Sequence, residues 1–167
     1  CFYHASLNQR PVSVITARGH HPITIREAIG LFVREKHLPQ EPNFLSIFPV
    51  SNKTVRQQLG DIDGKASVAE LKKRAIRASV ELAIERYGYN SHHRFGMSDD
   101  DPHNIELIFS AMKDLKGDYP EMSFFVIETQ GGRFVKWEVF SDHQEATLCS
   151  SDLGEKAFEQ MNRKSVV

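Results

Sequence analysis

Short apolar runs and helical patterns alternate along this chain. That alternation limits its fold more than any other feature. Pro11 opens a run, Val12 to Thr16, that reads as a strand, and Gly19-His-His-Pro22 follows as a loop. Thr24-x-x-Glu27 has the form of a capping box. Ile25, Ala28, Ile29, Phe32 and Val33 then recur at helical spacing, so a helix is expected to about His37, with Pro39 beyond its end. Phe44 to Val50 reads as a second strand, and the polar stretch Ser51 to Ala66 as a loop. Ser67-x-x-Glu70 is a second capping box. Behind it, Leu71, Ala75, Ala78 and Leu82 form one stripe, and Ile76, Val80, Ala83 and Tyr87 form a neighbouring one. This wide apolar face closes at Gly88.

The rhythm continues downstream. His93 to Met97 is expected to be a third strand. Asn104 to Lys116 is expected to be a helix with Ile105, Ile108, Met112 and Leu115 inward and Gly117 as its stop. Ser123 to Ile127 reads as a fourth strand. Gln130-Gly-Gly-Arg133 reads as a hairpin loop leading into Phe134 to Phe140, where Val135, Trp137 and Val139 share a face. Asp152 to Met161 has the pattern of a short last helix. Such alternation is the signature of βαβ units. It predicts an α/β fold: a three-layer sandwich around a mostly parallel, Rossmann-like sheet, with a C-terminal hairpin. A length of 167 residues suits one domain, 1–167, with a sizeable core.

Composition narrows the partners. A net charge of -1 offers no electrostatic case for nucleic acid or an anionic membrane surface. No apolar run approaches the ~20 residues needed to span a bilayer. Two isolated cysteines, Cys1 and Cys149, make neither a disulfide framework nor a CxxC site, which fits a reducing cytoplasm.

The polar ends of two strands carry the chemistry. In open α/β sheets, ligands bind outside the carboxyl ends of the strands. The first strand ends in Thr16-Ala-Arg-Gly19. A hydroxyl, the N–H groups of a turn and a forked guanidinium all suit phosphate. Equally, a threonine can simply end a strand beside a surface arginine. The third strand ends in Ser98-Asp-Asp-Asp101. Crowded carboxylates suit Mg²⁺, which takes one or two of them together with phosphate oxygens and water. They also suit the start of the helix that follows, where Asp caps and meets the helix dipole favourably. Lys65, Lys72 and Lys73 lie at or near the start of the long helix and could neutralise phosphate; a solvated helix face accounts for them as well. The histidines at 20, 21, 92, 93 and 103 have no HxH or HExxH spacing.

In this order, the motifs resemble those of the haloacid dehalogenase-like (HAD) phosphohydrolase superfamily over about residues 10 to 128. Val12-Ser-Val-Ile-Thr16 looks like the family's second motif, with Thr16 as the phosphate-binding hydroxyl. Lys72 best matches the third motif, with Lys65 and Lys73 as alternatives. Phe95-Gly-Met-Ser-Asp-Asp-Asp101 looks like the fourth, with Asp99 and Asp100 as metal ligands. The resemblance implies a Mg²⁺-dependent phosphatase acting on a small phosphate monoester through an aspartyl-phosphate intermediate. Thr16 and Lys72 would be catalytic, and Arg18, Gly19 and His20 would contact substrate.

Two departures stand out. The family's first motif, Asp-x-Asp after the first strand, does not precede Val12. Asp61-Ile-Asp63 has the right spacing but follows no apolar strand, so it is not expected to be a displaced copy. Where the fourth motif usually carries a further acid, this chain reads Pro102-His-Asn104. The nucleophile is therefore expected upstream of Cys1, on a strand that would lie between the Val12 and His93 strands. The alternative is a non-catalytic domain of the same fold that binds a phosphorylated ligand or a partner protein.

Overall fold

The computed structural model describes residues 2–140 and 147–149. The fold is mixed α/β and divides into two compact units, Cys1–Tyr89 and Asn90–Val167.

The first unit contains α1 (Phe2–Leu7), β1 (Val12–Thr16), α2 (Pro22–Arg34), β2 (Phe44–Pro49), α3 (Lys53–Gln58) and α4 (Val68–Tyr87). β1 has the expected bounds and pairs in parallel with β2. The core gathers Phe48 and Val50 from the β2 end, Val55 from α3 and Leu59 from its C-cap, and Leu71 and Ala75 from α4, with Ile15 packed against them. The long helix is built as its pattern predicts. Ser67 caps it through a reciprocal box with Glu70, and Leu71, Ala75, Ile76, Val80 and Ala83 are buried. Tyr87, expected inward, is exposed.

Three expectations in this unit are corrected. α2 starts at Pro22, not after Thr24: the His21 side chain caps it by accepting from the Ile23 N–H. Pro22 sets the start, because its fixed φ and missing N–H suit the first helical position. The helix also ends at Arg34, short of His37. Lys36 turns left-handed at φ 63°, the His37 N–H reaches back to the Phe32 carbonyl, and the Lys36 N–H reaches Val33. This is a Schellman closure with lysine where glycine is usual. Finally, the loop expected over 51–66 contains α3, whose cap is Asn52. Six residues carry too short a pattern to register as periodic, but Val55 and Leu59, four apart, are both buried.

The second unit contains β3 (Arg94–Asp99), α5 (Pro102–Asp118), β4 (Ser123–Gln130), β5 (Arg133–Val139) and β6 (Thr147–Cys149). Its sheet has the order β3-β4-β5-β6, with β3 and β4 parallel and the later pairs antiparallel. Ile108, Met112 and Leu115 of α5 are buried, as are Phe124, Phe125 and Val126 of β4. Gly131 and Gly132, both at positive φ, make the expected hairpin turn. Two positive φ values in succession match a type I′ turn and the right-handed twist of the strands it joins.

The bounds shift here too. β3 extends to Asp99, two residues past Met97, so the first carboxylate belongs to the strand itself. α5 begins at Pro102 rather than Asn104, because Asp101 caps it and proline occupies its first position. Gly117 does not stop the helix, which continues to Asp118. A last-turn glycine costs only about 1 kcal/mol relative to alanine. Beyond it, the Lys116 ammonium ties the Pro120 and Met122 carbonyls to the helix end. β4 runs three residues past Ile127, through Gln130, because the hairpin ladder pairs it up to the turn. The helix expected over Asp152 to Met161 lies outside the described residues.

Candidate functional site

The first strand end is built by the β1–β2 ladder. The Val50 N–H donates to the Thr16 carbonyl at 2.8 Å, so pairing continues one step beyond β2. Thr16 is half-buried, whereas Arg18, Gly19 and His20 are exposed. The chain turns back on the threonine, and the Arg18 N–H donates to Thr16 Oγ1 at 3.4 Å. A hydroxyl that accepts one hydrogen bond still has its own proton to donate. The Arg18 guanidinium makes no hydrogen bond or ion pair with other described residues. Sequence reasoning missed Asn52, which touches this loop: its Nδ2 donates to the Gly19 carbonyl at 3.3 Å. Its signal was an asparagine three residues before a buried valine, the spacing of a helix cap.

Lys72 sits in the second turn of α4, half-buried, directly after buried Leu71. Its two alternatives differ. Lys73 is also half-buried, whereas Lys65 is exposed on the preceding loop, 3.5 Å from Asp63.

Within Asp61-Ile-Asp63, the first aspartate is built into the fold while Ile62 and Asp63 are exposed. The Asp61 side chain is 1% exposed and ion-paired to Arg56 at 2.7 Å. Its Oδ1 accepts the Ala66 N–H, while the Arg56 guanidinium also bonds the Gly64 and Ala66 carbonyls. That backbone hydrogen bond, with the arginine's hydrogen bond and charge, holds the Asp61 carboxyl below the ordinary range against the opposing effect of burial. A carboxylate so engaged is not placed for nucleophilic attack.

The acidic strand end belongs to the second unit. Along β3, exposure alternates, with Phe95, Met97 and Asp99 on the more covered face. Asp99 is the last strand residue. Its Oδ1 accepts the N–H groups of Asp100 and Asp101 at 2.9 and 3.0 Å and the Asn104 amide at 3.2 Å. Thr129 of β4 donates to the Asp99 carbonyl, fixing the strand end from its neighbour. Asp101 is used as the α5 cap, accepting from His103. Asp100 is exposed. The three adjacent carboxylates therefore have three different settings. Asp99 is anchored, Asp100 is solvated and Asp101 caps.

Among the described residues, no three His, Cys, Asp or Glu side chains gather as a ligand group. A Mg²⁺ ion does not need three, since one or two carboxylates suffice when phosphate and water complete its shell. The oxygen-only donors Asp99 and Asp100 fit that chemistry, with Asp99 Oδ1 already committed to three donors. Among the described residues, no helix is long and apolar enough to cross a membrane.

Comparison with family models, curated proteins and solved structures finds no match to this chain.

Proposed function

We propose that this chain carries the phosphate-binding and metal-binding elements of a Mg²⁺-dependent phosphohydrolase of the HAD type, acting on a small phosphate monoester. In this reading the fold class is a three-layer, Rossmann-like α/β sandwich. One observation carries the proposal. β1 and β3, each paired in parallel with its own neighbour, both end on an oxygen-bearing side chain around which the next loop folds its N–H groups: Thr16 accepts from Arg18, and Asp99 from Asp100 and Asp101. Strand ends of this kind are where open α/β sheets take their ligands.

The roles follow from the chemistry of the groups. The Thr16 hydroxyl donates to a phosphoryl oxygen, and the Lys72 ammonium offsets the phosphate charge. Arg18, Gly19 and His20 border the ester substituent, where the exposed guanidinium and imidazole can contact substrate. Asp99 and Asp100 hold Mg²⁺, which when bound neutralises phosphate charge. The nucleophile is an aspartate on a strand outside this sequence. Its carboxylate oxygen bonds to phosphorus as the alcohol leaves, and water then cleaves the acyl phosphate to regenerate the aspartate. Thr16 and Lys72 hold the transferring group in place and stabilise its charge, which is most of what a protein contributes to phosphoryl transfer.

The burial of Asp61 in its pair with Arg56 favours a second reading. With Asp61 of the chain's own Asp-x-Asp engaged by Arg56, the 167 residues by themselves would be a binding module for a phosphorylated ligand. Hydrolysis of p-nitrophenyl phosphate with Mg²⁺ separates the two. A protein extended upstream through a strand bearing Asp-x-Asp is expected to turn over, and the 167-residue chain is not. Turnover by the shorter chain would overturn this assignment of the nucleophile. Phosphate binding without turnover in the extended protein would favour the binding module.

A further inference from the structure

The loops that follow β1 and β2 meet at Gly19. A methyl group added there would lie 3.6 Å from the Ser51 carbonyl oxygen, an ordinary van der Waals contact, so the two backbones already run side by side. The next residue, Asn52, uses both ends of its amide. Oδ1 accepts the N–H groups of Thr54 and Val55 at 3.1 and 3.3 Å, and Nδ2 donates to the Gly19 carbonyl. The helix that Asn52 caps is itself pinned, since Val55 and Leu59 are buried in the core of the unit. An unbroken line of contacts thus runs from that core through α3 and Asn52 to an otherwise exposed turn.

We propose that Asn52 is a positioning residue for the Thr16–His20 loop, holding the turn in the shape that receives a phosphoryl group. This rests on the phosphate reading of Thr16. The physical need is specific. The near end of the loop is fixed by the Val50 to Thr16 bond and the Arg18 to Thr16 contact. Residues 17–20 are exposed, and glycine has no side chain with which to pack. The Asn52 amide fastens the far end.

The cap and the tether can be separated without changing charge. Serine ranks with asparagine as a helix cap, so Asn52→Ser keeps α3 capped and removes only the donor to Gly19. In the full chain, Asn52→Ser is expected to melt close to wild type while the backbone ¹⁵N order parameters of Gly19 and His20 fall toward the flexible range. Inorganic phosphate, followed by ³¹P NMR, is expected to bind about fivefold more weakly, the effect of losing one ordinary hydrogen bond. Asn52→Asp, an equally good cap lacking the donor, should reproduce the loss of order at Gly19 and His20. Asn52→Ala should add a lowered melting temperature. Wild-type order of Gly19 and His20 in both the Ser and Asp variants, with wild-type phosphate affinity in Asn52→Ser and only Ala impaired, would reduce Asn52 to a helix cap and overturn the proposal. A wild-type chain with no phosphate affinity would overturn the phosphate reading itself. The order-parameter comparison would then still decide whether Asn52 holds the loop.

Discussion

Identical side chains in this protein do different work according to their hydrogen bonds, and aspartate shows it best. Asp61 is clamped by the Ala66 N–H and by Arg56, and its pKa lies below the ordinary value. Because the folded-state value is the lower one, the carboxylate contributes stability above about pH 4, and that contribution is lost as pH falls through the depressed value. Melting temperatures followed from pH 7 to pH 2 should therefore drop below pH 4, and drop less in Asp61→Asn. Arg56→Met leaves the same carboxylate buried without its cation. It should lower the melting temperature at neutral pH by roughly 5–10 °C, because an uncompensated buried charge is costly. Asp99 and Asp100 should separate in a calorimetric Mg²⁺ titration. Both Asn variants are expected to bind the ion more weakly. Only Asp99→Asn should also disturb the turn into α5, visible in the Asp100 and Asp101 amide signals. Unchanged Mg²⁺ affinity in both would remove these residues from the metal site.

At the scale of the element, the ends of helices decide more than their middles. α4 has a complete capping box, in which the Ser67 backbone and hydroxyl both bond Glu70 while Ser67 Oγ accepts the Glu70 N–H. Ser67→Ala removes the cap and should cost about 1 kcal/mol in denaturant unfolding. Inside the same helix, Leu71→Ala should cost about 2–5 kcal/mol, because Leu71 is fully buried and a cavity replaces it. In α2, the Schellman closure places Lys36 at φ 63°. Lys36→Gly should be neutral or stabilising, since only glycine adopts that conformation without steric cost.

At the scale of the whole molecule, β1 pairs only with β2 among the described strands, and β3 only with β4. Each strand thus has one edge that no described strand covers. A strand supplied from outside this sequence is what the phosphohydrolase reading asks for. In an upstream-extended protein, Thr16→Ala and Lys72→Ala should each lower kcat for p-nitrophenyl phosphate by about 10²–10³-fold, the usual effect of removing one group that stabilises transition-state charge. Lys65→Ala should leave it nearly unchanged, since Lys65 lies beside Asp63 on the exposed loop. An equal loss from Lys65→Ala would move the phosphate lysine.

The periodic parts of the fold were legible in the residues. Val12–Thr16 and the Ser67-capped helix occur where the pattern puts them, as does the Gly131-Gly132 turn. A short apolar run, a capping box and a pair of glycines are all local, and local rules suffice for them. Pro22 and Asp101 are local signals too, and they set the starts of α2 and α5 ahead of the periodic apolar residues. Tertiary structure decided the rest. α3 is too short to propagate as an isolated helix; burial of Val55 and Leu59 holds it. The candidate site divides in the same way. Its residue types, a threonine and paired aspartates at strand ends, were visible in the sequence. Asp61 pairs with Arg56 only five positions away, but its burial, and the reach of Asn52 to Gly19 across 33 positions, depend on chain segments brought together by packing. No local pattern encodes a contact of that kind.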